Sequence, residues 1–210
     1  MKLIKLFTIN LIILLLLFSS CKKSEEINEP YYKPFEIIQK DNLKIVVASD
    51  LHFLSKTMCE EGSSILKENY YGDGRVICYN EEIIDAFVYQ MIIEKPDVVL
   101  LTGDLTFDGS YQNHIELTKK LNKLVDNNIR VLSIPGNHDL NNSLSKRYLK
   151  DRVQTSQHLT AKDYEEIYYK FGRGNAVSKD KDSYSYYYKL QYKRHCSYIS
   201  IFEKRNEGVI

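Results

Sequence analysis

Tryptophan is absent from this 210-residue chain, and neither sign of charge is in excess. Lysine and arginine number 29 against 28 aspartates and glutamates, a net charge of +1. That balance removes the electrostatic ground for expecting a nucleic-acid partner. No pattern recurs at a period of roughly 20 to 50 residues, which excludes solenoids and propellers. The Gly-x-Gly-x-x-Gly fingerprint of a dinucleotide-binding domain is missing after Ser49. What is present is an ordinary globular composition, with 43% hydrophobic and 27% charged residues. Such a chain is too apolar to be disordered and is sized for one domain. Its 17 tyrosines and 8 phenylalanines can fill a core without tryptophan.

The N-terminal segment belongs to export rather than to the fold. Lys2 and Lys5 form a basic start, Leu11 to Phe18 is an unbroken apolar run, and Ser19-Ser20 leads into Cys21. This order resembles a bacterial lipoprotein signal, which implies cleavage after residue 20 and a diacylglyceryl chain on Cys21. The protein would then be lipid-anchored to the outer face of the cell membrane. Phe18 stands where such signals usually carry leucine, so an ordinary signal peptide with secretion, or an uncleaved N-terminal membrane anchor, stays open. Lys5, Thr8 and Asn10 interrupt the apolar stretch, which is shorter than the ~20 residues of a comfortable span. Residues 21–40 are charged, carry Pro30 and Pro34, and read as a tether. Export leaves two alternatives for Cys59 and Cys78, a disulfide or two buried thiols, and Cys196 has no partner.

Three β-branched runs, Leu43 to Ser49, Asp97 to Thr102 and Ile129 to Ile134, predict strands. Between them lie two helical patterns. Ile83, Ile84, Phe87, Val88, Met91 and Ile92 form one behind an Asn80 cap; Leu117, Leu121, Leu124 and Val125 form the other. Strands alternating with helices across short joints indicate an α/β layered fold with parallel neighbours, and ligands in such sheets gather at the carboxyl ends of the strands.

Each strand ends in a polar cluster: Asp50-Leu51-His52, then Gly103-Asp104, then Gly136-Asn137-His138-Asp139. Two carboxylates, an imidazole and an amide oxygen at one sheet edge make a mixed oxygen and nitrogen site, suited to Mn, Fe, Zn or Co rather than Ca. Asp50 and His52 stand on one side of an extended segment and can reach one ion. Asp104 has two oxygens and can bridge two ions; Asn137 offers an oxygen to the second, and His138 stays free for proton work.

These three motifs, in this order, resemble those of the calcineurin-like metallophosphoesterase family. The similarity is strongest over Leu43 to Leu140 and continues more weakly to Leu190. It implies a layered sandwich of mixed β-sheets flanked by helices and a phosphomonoester or phosphodiester substrate. Two divalent metal ions would sit ~3.5–4 Å apart and activate a water. By that resemblance Asp50 and His52 hold the first metal, Asp104 bridges, Asn137 holds the second, His138 acts near the scissile phosphate, and Asp139 orients His138. The extra loop Phe53 to Tyr79 would be a lid or specificity element, with Arg75 in reach of a phosphate.

The family completes its metal site with later histidines, two of them in a Gly-His-x-His motif, and this chain contains no Gly-His pair. His158 lies before a helix opened by Thr160 and Asp163 and reads as surface loop; His195 sits in a basic run. Neither takes a metal role. His114 reads as surface helix, and Tyr164 to Tyr169 and Tyr184 to Tyr188 as core and sheet packing. Ser183 to Leu190 looks like a strand entering a second half-sheet that is incomplete. The expected organisation is therefore a C-terminally truncated phosphoesterase domain over 41–190 with an atypical tail at 191–210. Its activity would be impaired; the alternative is a non-catalytic exported lipoprotein remnant with weak or no metal binding.

Overall fold

The structure is a computed structural model and describes residues 42–70, 76–192 and 195–202. The signal at 1–20, Cys21, the tether and Arg75 lie outside the described residues, as do the side chains of Cys78, His195 and Cys196 and hence the Cys59–Cys78 pairing.

The three β-branched runs form a parallel sheet. Strands β1 (Ile45–Ala48), β2 (Val98–Leu101) and β3 (Arg130–Ser133) stand in that order, with Val46 opposite Val99 and Val99 opposite Val131. Helix α1 is Ser64–Tyr70, α2 Asn80–Glu94, α3 Tyr111–Asp126 and α4 Ala161–Ile167. Their ends follow local chemistry. Lys95 closes α2 in the left-handed conformation at φ 48°, just before Pro96. The Ser110 hydroxyl caps α3 by accepting the Asn113 N–H, and Thr160 and Asp163 form the capping box that their spacing predicts.

One face of the sheet packs on α2 and α3. Val99, Leu101 and Val131 meet Ile84, Val88, Leu117, Leu121 and Leu124, and Tyr164, Tyr168 and Phe171 close the end of this core. On the other face a second, antiparallel sheet of β6 (Ser178–Lys179), β7 (Tyr186–Tyr192) and β8 (His195–Ile201) lays Tyr186, Tyr188, Leu190 and Ile201 on Val98, Leu132 and Ile134. The mixed-sheet α/β sandwich is thus as expected, with two corrections. Residues 195–201, placed in an atypical tail, are a strand that pairs with β7 from Tyr186↔Ile201 to Tyr192↔His195. Among the described residues the second sheet covers β2 and β3 but not β1, whose Ile45 and Val47 lie on that face 40% and 62% exposed.

The long connection after His52 is folded. Leu54, Met58, Leu66 and Ile77 form a small core of their own with Phe107 and Tyr148. Tyr148 lies on β4 (Lys146–Tyr148), which pairs with β5 (Val153–Thr155) in a short hairpin.

Candidate metal centre

Beyond their last paired residues, β1 and β2 continue to hold each other. Asp50 N–H donates to the Gly103 carbonyl at 3.2 Å, His52 N–H to Asp104 at 2.9 Å and Phe53 N–H to Leu105 at 3.0 Å. This zipper forces the chain into left-handed backbone at three non-glycine residues: Asp50 at φ 55°, His52 at 42° and Asp104 at 46°. Each such residue costs about 1–2 kcal/mol. Asp50 buries little in return, since its side chain is 63% exposed. Strain of this kind persists where geometry serves a site.

The third loop enters through glycine. Gly103, at φ 109°, backs onto Gly136, and a Cβ on Gly136 would fall within 3.0 Å of the Asp104 backbone and carboxylate. That approach lets Asp104 Oδ1 accept the His138 N–H at 3.1 Å.

The side chains converge. His52 Nε2 lies 3.6 Å from Asp50 Oδ1 and 3.9 Å from Asp104 Oδ2. The His52 and His138 rings meet edge to face with centroids 4.9 Å apart. One ligand atom each from His52, Asp104 and His138 lies within 4.8 Å of the other two, a spacing at which all three could hold one ion. His138 Nδ1 is 3.0 Å from the Phe107 carbonyl, which can only accept, so Nδ1 carries hydrogen and Nε2 is left for the site. Carboxylate oxygens with imidazole nitrogens suit a borderline divalent cation, so the residues present fit the metal that the sequence implies.

Residues 43–203 match the calcineurin-like phosphoesterases over most of the chain. The chain belongs to this family. Among similar proteins, an uncharacterised protein of Schizosaccharomyces pombe is 32% identical over 113 residues, covering 53% of this chain and 21% of its own length. A probable glycerophosphodiester phosphodiesterase of Arcobacter nitrofigilis is 33% identical over 91 residues, covering 40% and 32%. A probable cyclic nucleotide phosphodiesterase of Vesicomyosocius okutanii is 44% identical over 55 residues, covering 26% and 22%. The matched stretches therefore span between 21% and 32% of these relatives' lengths.

Within this family member, Asn137 is exposed in the β3 turn beside His138, and its amide makes no hydrogen bond among the described residues. Asp139 is fully buried. One carboxylate oxygen accepts Leu105 N–H at 2.9 Å and Gly136 N–H at 2.7 Å. The other accepts Thr106 N–H at 2.8 Å and the Thr106 hydroxyl at 3.0 Å. Burial pushes its pKa up to about 6 while these four donors pull it down, so at neutral pH it is ionised. The Phe107 carbonyl is the hydrogen-bond partner of the His138 ring, and the Asp139 carboxylate ties the β2 loop to the β3 loop that carries His138.

Asn80 and His114 also differ from their sequence readings. Asn80 is the first residue of α2 rather than its cap; its amide accepts Leu54 N–H at 2.9 Å and donates to the Leu51 carbonyl at 3.0 Å, so it brackets His52. Nothing in the local sequence distinguishes that use from a cap. His114 is completely buried. A signal was present, because it precedes Leu117 by three and Leu121 by seven positions on the apolar stripe of α3. His158, bridged to Ser110, lies outside the convergent group.

Proposed function

We propose that this chain is a metal-dependent phosphoesterase that hydrolyses phosphodiesters or phosphomonoesters with water as the nucleophile. Two divalent cations, drawn from Mn, Fe, Zn or Co, would be held by Asp50, His52, Asp104 and Asn137. The observation that carries this reading is the convergence of Asp50, His52 and Asp104, all three on strained backbone, with His138 at the carboxyl edge of the parallel sheet. The relatives named as phosphodiesterases support the substrate class.

When bound, such cations supply Lewis acidity, lowering the pKa of a water and offsetting phosphate charge. The chain's own residues do the rest. Asp104 stands between the halves of the site, one oxygen on the His138 N–H and the other toward His52. The Asp50 and Asp104 carboxylates, with ionised Asp139 behind them, make the edge attractive to cations. His138, with Nδ1 fixed on Phe107, presents Nε2 to the leaving oxygen. As water attacks phosphorus and the bond to that oxygen breaks, Nε2 would hand a proton to the leaving oxygen, and the proton released by the attacking water would return to the ring through solvent.

The proposed place of this chain is the outer face of the cell membrane, held by a lipid on Cys21. The test is elemental analysis followed by assay of a chelator-treated sample, with each metal restored, on a nitrophenyl phosphodiester and monoester. Hydrolysis that appears only with metal, at about two ions per chain, supports the reading. Fewer than one ion with no hydrolysis would instead indicate the non-catalytic lipoprotein remnant.

A further inference from the structure

We propose that His114 is a positioning residue for His138, a neutral imidazole that fixes the β3 turn through the Asp139 carbonyl. The inference rests on the phosphoesterase reading only for its kinetic arm.

His114 joins three elements in the core. Its Nε2 lies 3.2 Å from the Asp139 carbonyl and 3.1 Å from Thr106 Oγ1, and its Nδ1 lies 2.8 Å from the Tyr168 hydroxyl. Only one proton arrangement satisfies every group. The Asp139 carbonyl can only accept, so Nε2 bears the hydrogen. The Thr106 hydroxyl hydrogen goes to the Asp139 carboxylate at 3.0 Å, which leaves its lone pairs for Gly109 N–H at 3.2 Å and for Nε2–H. Nδ1 is then an acceptor, and Tyr168 O–H must donate to it. Burial holds the ring's pKa down at about 3, so this neutral tautomer persists across the working range.

The consequence reaches His138 along the backbone. His138 is gripped at its N–H by Asp104, at its carbonyl by Asn142 Nδ2 at 3.1 Å, and at its ring by Phe107. The next peptide, at Asp139, has its carbonyl held by His114. Without that hold the turn keeps its carboxylate anchor but loses the contact that sets the tilt of the following peptide. The His138 ring then swings relative to His52. Asp104, Asp50 and His52 stay in place because their own zipper is untouched. The signature of loss is therefore reduced kcat with unchanged KM and with the ion at Asp50, His52 and Asp104 retained.

Two substitutions separate positioning from packing: His114→Leu removes both nitrogens, and His114→Gln keeps an amide donor near Nε2. Long-range proton–nitrogen NMR of the full chain should show His114 with hydrogen on Nε2 and no titration between about pH 5 and 8. The His138 ring resonances should move in His114→Leu and return in His114→Gln. On a nitrophenyl phosphodiester, kcat should fall about tenfold in His114→Leu, a change of about 1.4 kcal/mol in the barrier, and recover in His114→Gln. A hydrogen on Nδ1, a titrating ring, or equal His138 shifts in both variants would overturn the proposal. If His114→Leu does not fold, Tyr168→Phe should leave the His114 tautomer intact and displace only its Nδ1 resonance; a switched tautomer there would overturn it. A wild type that turns over no ester would count against the phosphoesterase reading, while the resonances still decide His114.

Discussion

Gly136 and Asp104 are packed so closely that no side chain fits between them: a Cβ on Gly136 would stand within 3.0 Å of the Asp104 amide nitrogen and carboxylate. Gly136→Ala must therefore displace the proposed bridging ligand. We expect it to lose metal and to cost about 1–3 kcal/mol, the range for overpacking a filled site. Gly62→Ala is the control. Gly62 has φ 78° with nothing within 4 Å of a new Cβ, so it should lose about 1 kcal/mol to strain and keep its metal. Denaturant titration with elemental analysis checks both, and equal metal loss would separate the site from Gly136.

Asp104→Asn and His138→Ala should part company. The first removes a charge that both proposed cations share and should abolish turnover and most bound metal. The second should lower turnover by about 10²- to 10⁴-fold, the usual loss of a general acid, with metal largely retained. His138 also lies within ligand distance of His52 and Asp104, so equal metal loss in both variants would make it a ligand instead.

Asp50→Gly should sever function from stability. Left-handed backbone at Asp50 costs about 1–2 kcal/mol. Glycine removes that strain but adds about 0.4–1 kcal/mol of unfolded-state entropy. The metal-free variant should therefore be unchanged or up to about 1.6 kcal/mol more stable, yet bind less metal. A drop of more than about 1 kcal/mol in chemical denaturation would mean that Asp50 holds the fold.

Acid should unfold the protein in part through His114. Its folded pKa of about 3 lies below the ordinary 6.5, so the unfolded chain binds the proton more tightly. That contribution is fully present above pH 6.5 and is lost as pH falls toward 3. The titratable groups facing the ring are Asp139, whose carboxylate is 3.8 Å from Nε2, and Tyr168. Asp139 works oppositely, because its folded pKa is raised. Stability measured against pH should be flatter on the acid side in His114→Gln than in the wild type; identical slopes would place the acid response elsewhere.

Cys21→Ala should release the protein from membranes. One acyl chain gives only marginal attachment, so the two chains of a diacylglyceryl group matter. Detergent partitioning of the variant checks this, and continued membrane retention would return the N-terminus to a plain anchor.

The parts of the site written as contiguous motifs were legible in the sequence, because strand ends of an α/β sheet concentrate such residues at one edge. Asp50, His52, Asp104 and His138, which come from three separate motifs, lie close together. Contacts made across the chain were not legible. Asp139 sits next to His138, but its side chain turns into the core toward Leu105 and Thr106, which a linear pattern cannot show. Asn80 reaches 29 positions back to Leu51, and a capping residue type conceals that reach. Strand β8 was missed because His195 and the charges around it mask the apolar Ile199 and Ile201, whose partners Tyr188 and Tyr186 lie on β7.

The His52 N–H that donates to the Asp104 carbonyl at 2.9 Å joins two proposed ligands by backbone as well as through any shared ion. Their backbone spacing is thus a property of the sheet. An ion of another radius must be met by rotation of the two side chains, because moving the strands would lengthen a bond of that ladder. A large cation such as Ca²⁺, which seeks about six to eight oxygens, would meet an imidazole among the four proposed ligands Asp50, His52, Asp104 and Asn137, on a backbone that does not widen.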